Sequence, residues 1–227
     1  MKKGILIDVG DTLVYNYNIN FANGFSKVFD LAINPKINKE EFVNYANSLL
    51  KDIFNNRSAI EFKMIDLINQ VNEYFDLQYD KTVYELEDVF AFNSCDVSFV
   101  EGSKKILSYF KQKDYRVIVI SNTSFSKNII VKMLGELNNY IEDVIVSSNY
   151  PLKKPHHGIF DIGISKLKME KSNIYYIGNS FYHDVKGSIK AGINSIWFNK
   201  DNNMNDPNVI GGYLEIKSYD ELIEMDF

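Results

Sequence analysis

The stretch Gly4-Ile5-Leu6-Ile7-Asp8-Val9-Gly10-Asp11-Thr12-Leu13 decides how the rest of the sequence reads. It opens on a short apolar run rich in branched residues, the pattern of a fully buried strand. An acid, Asp8, stands where that strand should end, and Gly10 and a second acid, Asp11, follow. A carboxylate at the end of a core strand is costly to bury unless it is paired or metal-bound. In an open parallel sheet, the carboxyl ends of the strands form the ligand crevice. Asp8 therefore reads as a reactive or metal-binding acid at the mouth of an α/β sheet. From this stretch alone, an acid that merely begins a turn or caps a helix reads equally well.

Working outward, Val14 to Tyr17 is still partly extended, and from about Ile19 the period changes to helical. Phe21, Phe25, Val28, Phe29 and Ala32 share one helical face, which ends at Asn34-Pro35. Asn38 caps a second helix, with Glu41 at the box position. Ser58 begins a third, with Glu61 in its box, and a fourth runs from Asp80 to about Phe92. Beyond Gly102 the chain alternates. Helices are expected at Gly102 to Lys113, Ser126 to Leu137, His157 to Leu167 and Asp184 to Ala191. Strands are expected at Tyr115 to Ser121, Asp143 to Ser147, Ile174 to Gly178 and Ile193 to Phe198, with a short last strand near Gly212 to Ile216 and a terminal helix capped by Ser218. Strands alternating with single helices mean right-handed βαβ units, so the fold is a doubly wound, mainly parallel α/β sheet. Residues 1–17 and 94–227 form this core, and residues 18–93 form a helical insertion.

Composition narrows the classes of function. The 227 residues include 45% hydrophobic and 24% charged residues, ordinary for a soluble globular chain with a substantial core. A net charge of −5 gives no general attraction to nucleic acid or to an anionic membrane, so neither is expected as a partner. The single Cys95 excludes an internal disulfide and suits a reducing cytosol. No stretch approaches the ~20 apolar residues of a membrane span, and the first apolar run is too short for a signal peptide. A cytoplasmic protein is expected.

The polar ends of the core strands converge on one crevice. They supply Asp8, then Ser121-Asn122-Thr123, then Ser147-Ser148 leading to Lys153-Lys154-Pro155, then Gly178-Asn179-Ser180 with Asp184. Ser121 and the N–H groups after it suit phosphate oxygens, and Lys154 is a point cation. Asp8 and Asp184 are hard oxygen ligands suited to Mg²⁺. Together they read as an anion site with a divalent cation.

This constellation resembles the haloacid dehalogenase (HAD) superfamily. Its four motifs look like Asp8-Val9-Gly10-Asp11-Thr12-Leu13, Ser121-Asn122, Lys154-Pro155 and Gly178-Asn179-Ser180-Phe181-Tyr182-His183-Asp184. Each motif alone is unspecific, but the four stand in the family's order and cover the whole core. The insertion at 18–93 resembles the family's helical C1-type cap. The resemblance implies a Rossmann-like hydrolase in which Asp8 attacks phosphorus and forms an aspartyl-phosphate. Ser121 and Lys154 would orient and neutralise the transferring group, with Val9, Gly10 and Asn122 also contacting it. Mg²⁺ would bind Asp8, Asp184, Asn179 and the carbonyl of Gly10, and with Lys154 would keep the Asp8 pKa low. The implied substrate is a small phosphomonoester; substrate identity and oligomeric state are not fixed by the sequence.

Two departures qualify the resemblance. The family's phosphatases carry a second Asp two residues after the nucleophile as general acid/base, and here that position is Gly10. Such a group typically supplies ~10²–10⁴-fold in rate, so a slow phosphatase is expected unless Asp11, a cap residue or the substrate substitutes. Asp11 reads better as a turn residue. Asn179 stands where many members have Asp, which removes one charge from the cation site. Gly10 and Asn179 together motivate a rival, a non-catalytic or weakly active phosphate-binding protein. A metal-independent dehalogenase is a further alternative, although those members have a tyrosine at the position of Gly10 and an arginine early in the cap. Arg57 is a candidate grip on a substrate anion, or a surface arginine paired with Glu61. His156-His157 reads as a helix start, His183 lies inside the fourth motif, Lys153 as a solvated neighbour of Lys154, and Cys95 as a buried apolar residue.

Overall fold

In the computed structural model, which describes residues 2–56, 60–206 and 212–227, the apolar run Gly4–Ile7 is strand β1, buried at every residue. It lies near the middle of a six-stranded parallel sheet. One neighbour is β4 (Arg116–Ser121), with Ile7 opposite Val119; the other is β6 (Ile174–Gly178), with Ile7 opposite Ile177. The strand β5 (Asp143–Val146) lies outside β4, and β7 (Asn194–Phe198) and β8 (Tyr213–Ile216) lie outside β6, so the order is β5-β4-β1-β6-β7-β8. The chain thus winds away from β1 in both directions, which opens a crevice at the strands' carboxyl ends.

Strand periodicity sorts the core into two layers. Ile5, Ile7, Val117 and Val119 face one cluster, completed by α5 (Ser103–Gln112), α6 (Lys127–Leu134) and α9 (Tyr219–Glu224). Leu6, Ile118, Ile120 and Tyr176 face the other, completed by α7 (His157–Leu167) and α8 (Lys186–Ala191). Residues buried on both faces of a sheet read as continuous apolar runs, and these strands do.

Between β2 (Val14–Tyr17) and β3 (Asp96–Phe99) lie four helices with a cluster of their own: α1 (Phe21–Phe29), α2 (Lys39–Asn55), α3 (Met64–Tyr74) and α4 (Val83–Ser94). Phe25, Phe42, Leu67 and Phe90 are almost fully buried within it. Asn38 caps α2 through the Glu41 N–H, and Thr82 caps α4 in a full capping box with Glu85, which sets its start at Val83 rather than Asp80. Ser58, expected to start the third helix, lies outside the described residues; that helix begins at Met64, after an extended approach.

The sequence showed no strand between the last inserted helix and Gly102, yet β3 is there, pairing antiparallel with β2. Its four residues are mostly exposed, too short and too wet to show alternation. The fourth motif also differs from expectation. In place of a helix from Asp184, a π-helical turn spans Phe181–Val185, and α8 follows it. The Ser180 hydroxyl accepts from the His183 N–H, and the Ser188 hydroxyl donates to the Asp184 carbonyl, so side chains hold the wide turn. Among the described residues, no helix is long and apolar enough to cross a membrane.

Candidate active site

Asp8 extends the β1 ladder by one bond, its N–H donating to the Ile177 carbonyl at 2.9 Å. The chain then folds back sharply. The N–H groups of Thr12, Leu13 and Val14 all point to the Val9 carbonyl, at 3.2, 2.8 and 3.0 Å. Asp11 takes the left-handed conformation, φ 54°, which Asp tolerates, and its side chain is exposed. The Tyr219 hydroxyl fixes the far side of the loop through the Thr12 carbonyl, at 2.6 Å.

Lys154 is delivered to the same point by a two-sided clasp. The Asn122 amide donates to the Lys154 carbonyl (2.9 Å) and accepts from the Lys154 N–H (2.8 Å). Asn122 thus faces the site's lysine through the main chain. Ser147 and Ser148 tie down the loop after β4, the first to Thr123 and the second to the Phe125 carbonyl. The Lys154 ammonium is 2% exposed, and its three N–H bonds reach Asp8 Oδ1 (2.7 Å), Asp184 Oδ1 (2.7 Å) and the Tyr176 hydroxyl (2.8 Å). Tyr176 in turn donates to Asp184 Oδ1 at 2.9 Å, and the other Asp184 oxygen accepts from the Ser180 N–H at 2.9 Å. Sequence reading missed Tyr176. Its signal was a phenol in a strand buried on both faces, where the hydroxyl needs a partner.

The charges do not balance: one ammonium faces two buried carboxylates. Burial, with Asp184 adding to it, pushes the Asp8 pKa up to about 6, although the Lys154 ammonium and the Val9 N–H oppose the rise. The expectation of an ionised Asp8 rests on Lys154 together with Mg²⁺; against the lysine alone, desolvation prevails. Burial alone would lower Lys154, but Asp184 and Asp8 together hold it above its ordinary value. Burial also raises the Tyr176 phenol, so it remains a donor.

The carboxylate of Asp184 lies against the main chain of Gly178. A Cβ there would stand 2.4 Å from Asp184 Cγ, so only glycine admits the acid. Gly10 is the opposite case, for a Cβ added to it would meet nothing within 4 Å.

These groups line a cavity of about 250 Å³ between the strand ends and the inserted helices. Asp8, Val9, Gly10, Ser121, Asn122, Lys154 and Asp184 are brought together there, with His183 at the edge. Asn179 is not among the lining residues; its amide oxygen accepts from the Thr12 hydroxyl (3.4 Å) and its carbonyl from the Trp197 indole (2.9 Å). Arg57 lies outside the described residues. Lys153 is not solvated: it pairs with Glu61 of the insertion at 3.5 Å, both side chains under one-fifth exposed. Cys95 is only half-buried and sits in the cavity wall. His156 accepts from the Gly158 N–H at the start of α7, and His157 pairs with Asp161.

A parallel sheet with this polar crevice at its strand ends is a doubly wound α/β core, and most of the sequence places it in a family. Residues 5–198 match the family model of the haloacid dehalogenase-like hydrolases, and the chain belongs to that family of enzymes. It is similar to the glyceraldehyde 3-phosphate phosphatase of Pyrococcus abyssi, 22% identical over 149 residues that span 60% of this chain and 63% of the relative. That is less than two thirds of the relative's length. It is 24% identical over 200 residues to the protein of that name from Methanocaldococcus jannaschii, covering 85% of this chain and 83% of the relative. A crystal structure of 2-haloacid dehalogenase from Pseudomonas syringae shares the fold, with a TM-score of 0.70 and 20% identity over 99% of this chain and 97% of that one.

Proposed function

We propose that this chain is a divalent-cation-dependent phosphatase that hydrolyses a small phosphomonoester through an aspartyl-phosphate on Asp8. The observation that carries the reading is the Lys154 ammonium held at 2.7 Å from both Asp8 and Asp184 at the floor of the cavity. The phosphatases named among its relatives support it. In the first step the Asp8 carboxylate attacks phosphorus as the ester P–O bond breaks, and the leaving alkoxide takes a proton. Water then attacks the phosphorus of the aspartyl-phosphate, which returns the carboxylate and releases inorganic phosphate. The Lys154 ammonium, held by its three partners, neutralises charge beside the phosphoryl group, whose oxygens the Ser121 hydroxyl and main-chain N–H groups at Val9 and Gly10 orient. Asn122 acts on the reaction as a positioning residue, through its clasp on Lys154.

The residues present fit Mg²⁺. Two hard carboxylates share one buried ammonium, which leaves one negative charge without a counter-ion, and burial with Asp184 beside it raises Asp8. Asp8, Asp184 and the Gly10 carbonyl would hold the ion, which keeps several waters and demands few protein ligands. When bound, it supplies charge neutralisation at the transferring group. Asn179 would act only through a metal water.

Gly10 leaves the leaving-group proton to solvent, and Asp11, turned outward, does not replace it. Residues 18–93 are proposed as the cap that closes the crevice and excludes water. The test is turnover of a phosphomonoester panel with Mg²⁺ and with chelator, alongside Asp8→Asn. Metal-dependent turnover that falls more than about 10³-fold in Asp8→Asn is the expected result. Turnover that survives in the variant overturns the nucleophile assignment. The open position at Gly10 favours one rival, a phosphate-binding protein without catalysis. That reading gains if nothing turns over while inorganic phosphate with Mg²⁺ raises the melting temperature.

A further inference from the structure

The cavity has two unlike halves. Its floor is ionic, built from Asp8, Lys154 and Asp184 with Ser121. Its opposite wall is apolar: Phe21 of α1, Phe125, and Ile130 and Met133 of α6, with Ile19 at the mouth. Ile130 and Met133 belong to the sheet's own core, while Phe21 and Phe125 pack against the cluster of the inserted helices. Among the described residues lining the cavity, the sole ammonium or guanidinium is Lys154, and all three of its N–H bonds already have partners. The remaining polar lining residues are Asn16, Ser94, Asn122, Thr123 and Ser180, which carry no charge, and His183, whose Nδ1 lies 3.1 Å from the Lys154 carbonyl.

Resting on the phosphatase reading, we propose that the substrate's leaving group is compact, uncharged and apolar, of phenyl or branched-alkyl size. The wall would remove such a group from water favourably. A second anionic group, such as a carboxylate, would be buried against apolar carbon with no free cationic side chain among the described lining residues, which is strongly unfavourable. A cavity of about 150 Å³ holds benzene, so 250 Å³ accommodates a phosphoryl group and one ring. The selected class differs from a small hydroxylated aldehyde phosphate such as glyceraldehyde 3-phosphate, after which two of the relatives are named.

Phosphonates test this without turnover, because the P–C bond is not hydrolysed. Binding of benzylphosphonate, methylphosphonate and 2-carboxyethylphosphonate would be measured by calorimetry on the whole protein with Mg²⁺. Benzylphosphonate is expected to bind at least about tenfold more tightly than either of the others. Ile19 is 59% exposed at the mouth, so Ile19→Lys should fold normally and narrow the gap to the carboxylate ligand. Equal or tighter binding of 2-carboxyethylphosphonate overturns the proposal, as does failure of all three to bind. Failure of the underlying reading looks different: benzylphosphonate binds selectively, yet no phosphomonoester is turned over.

Discussion

Gly10 stands two residues beyond Asp8 and has room around it: a Cβ added there meets nothing within 4 Å. Its conformation is not left-handed, so a side chain is sterically allowed. On the proposed mechanism, with no acid at this position, the leaving group takes its proton from water. Turnover should therefore fall steeply as the leaving alcohol becomes more basic, and aryl phosphates should far outpace alkyl ones. Gly10→Asp should raise kcat for alkyl phosphates by about 10²-fold and flatten that dependence, measured across a leaving-group series. A second residue-scale expectation concerns pH. The Asp8 pKa is raised from 3.8 to about 6, so the folded state binds its proton more tightly than the unfolded chain does. Its contribution to stability is complete below 3.8 and is lost as the pH rises through about 6. A bound cation offsets the charge that causes this loss, and below pH 6 it competes with the proton. Mg²⁺ should therefore raise the melting temperature more at pH 8 than at pH 5, as read by calorimetry at fixed ionic strength.

At the scale of elements, the fourth motif is a strand end, a π-turn and a helix that together aim one carboxylate. Gly178 closes β6, and Asp184 returns from Phe181–Val185 to lie against its main chain. Gly178→Ala should leave the sheet folded but push Asp184 off Lys154, weakening Mg²⁺ binding by about tenfold or more in a titration. The sequence revealed the parts of this motif but not its geometry. Long periodic runs such as His157–Leu167 and the apolar run Ile174–Gly178 matched their elements, because burial on one or both faces writes a pattern. The π-turn and β3 have no such pattern; the first depends on hydrogen bonds from Ser180 and Ser188, the second on pairing with β2. The acids and the lysine of the site were legible because they interrupt apolar strands. Tyr176 was not, because a tyrosine in a strand reads as packing. Asn122 was read as a phosphate contact because its clasp on Lys154 spans 32 residues and leaves no local trace.

At the scale of the molecule, the inserted helices meet the core around the loop that follows β4. The Met64 N–H donates to the Ser124 carbonyl (2.9 Å), Phe90 lies 6.2 Å from Phe125, and the Ser126 N–H donates to the Glu87 carboxylate (2.8 Å). Glu87 of α4 thus caps α6 of the core from outside, and burial holds its pKa above the ordinary value. Its second oxygen, Oε2, is buried without a hydrogen-bond partner among the described residues, so the contact carries a desolvation cost. Glu87→Ala should remove the cap at a cost of about 1 kcal/mol, lowering the melting temperature by a few degrees. The same change should alter KM more than kcat for a small substrate, because it loosens the contact between the inserted helices and the core without touching Asp8.

The central claim is that Asp8 becomes phosphorylated. The direct measurement is an acid quench during turnover with Mg²⁺, followed by borohydride reduction and peptide mass analysis of the segment holding residues 4–13. A phosphorylated Asp8 is reduced to homoserine, so homoserine at position 8 that depends on both substrate and metal is the expected result. An unmodified Asp8 under conditions of continuing turnover, with the modification on another residue or on none, would contradict it.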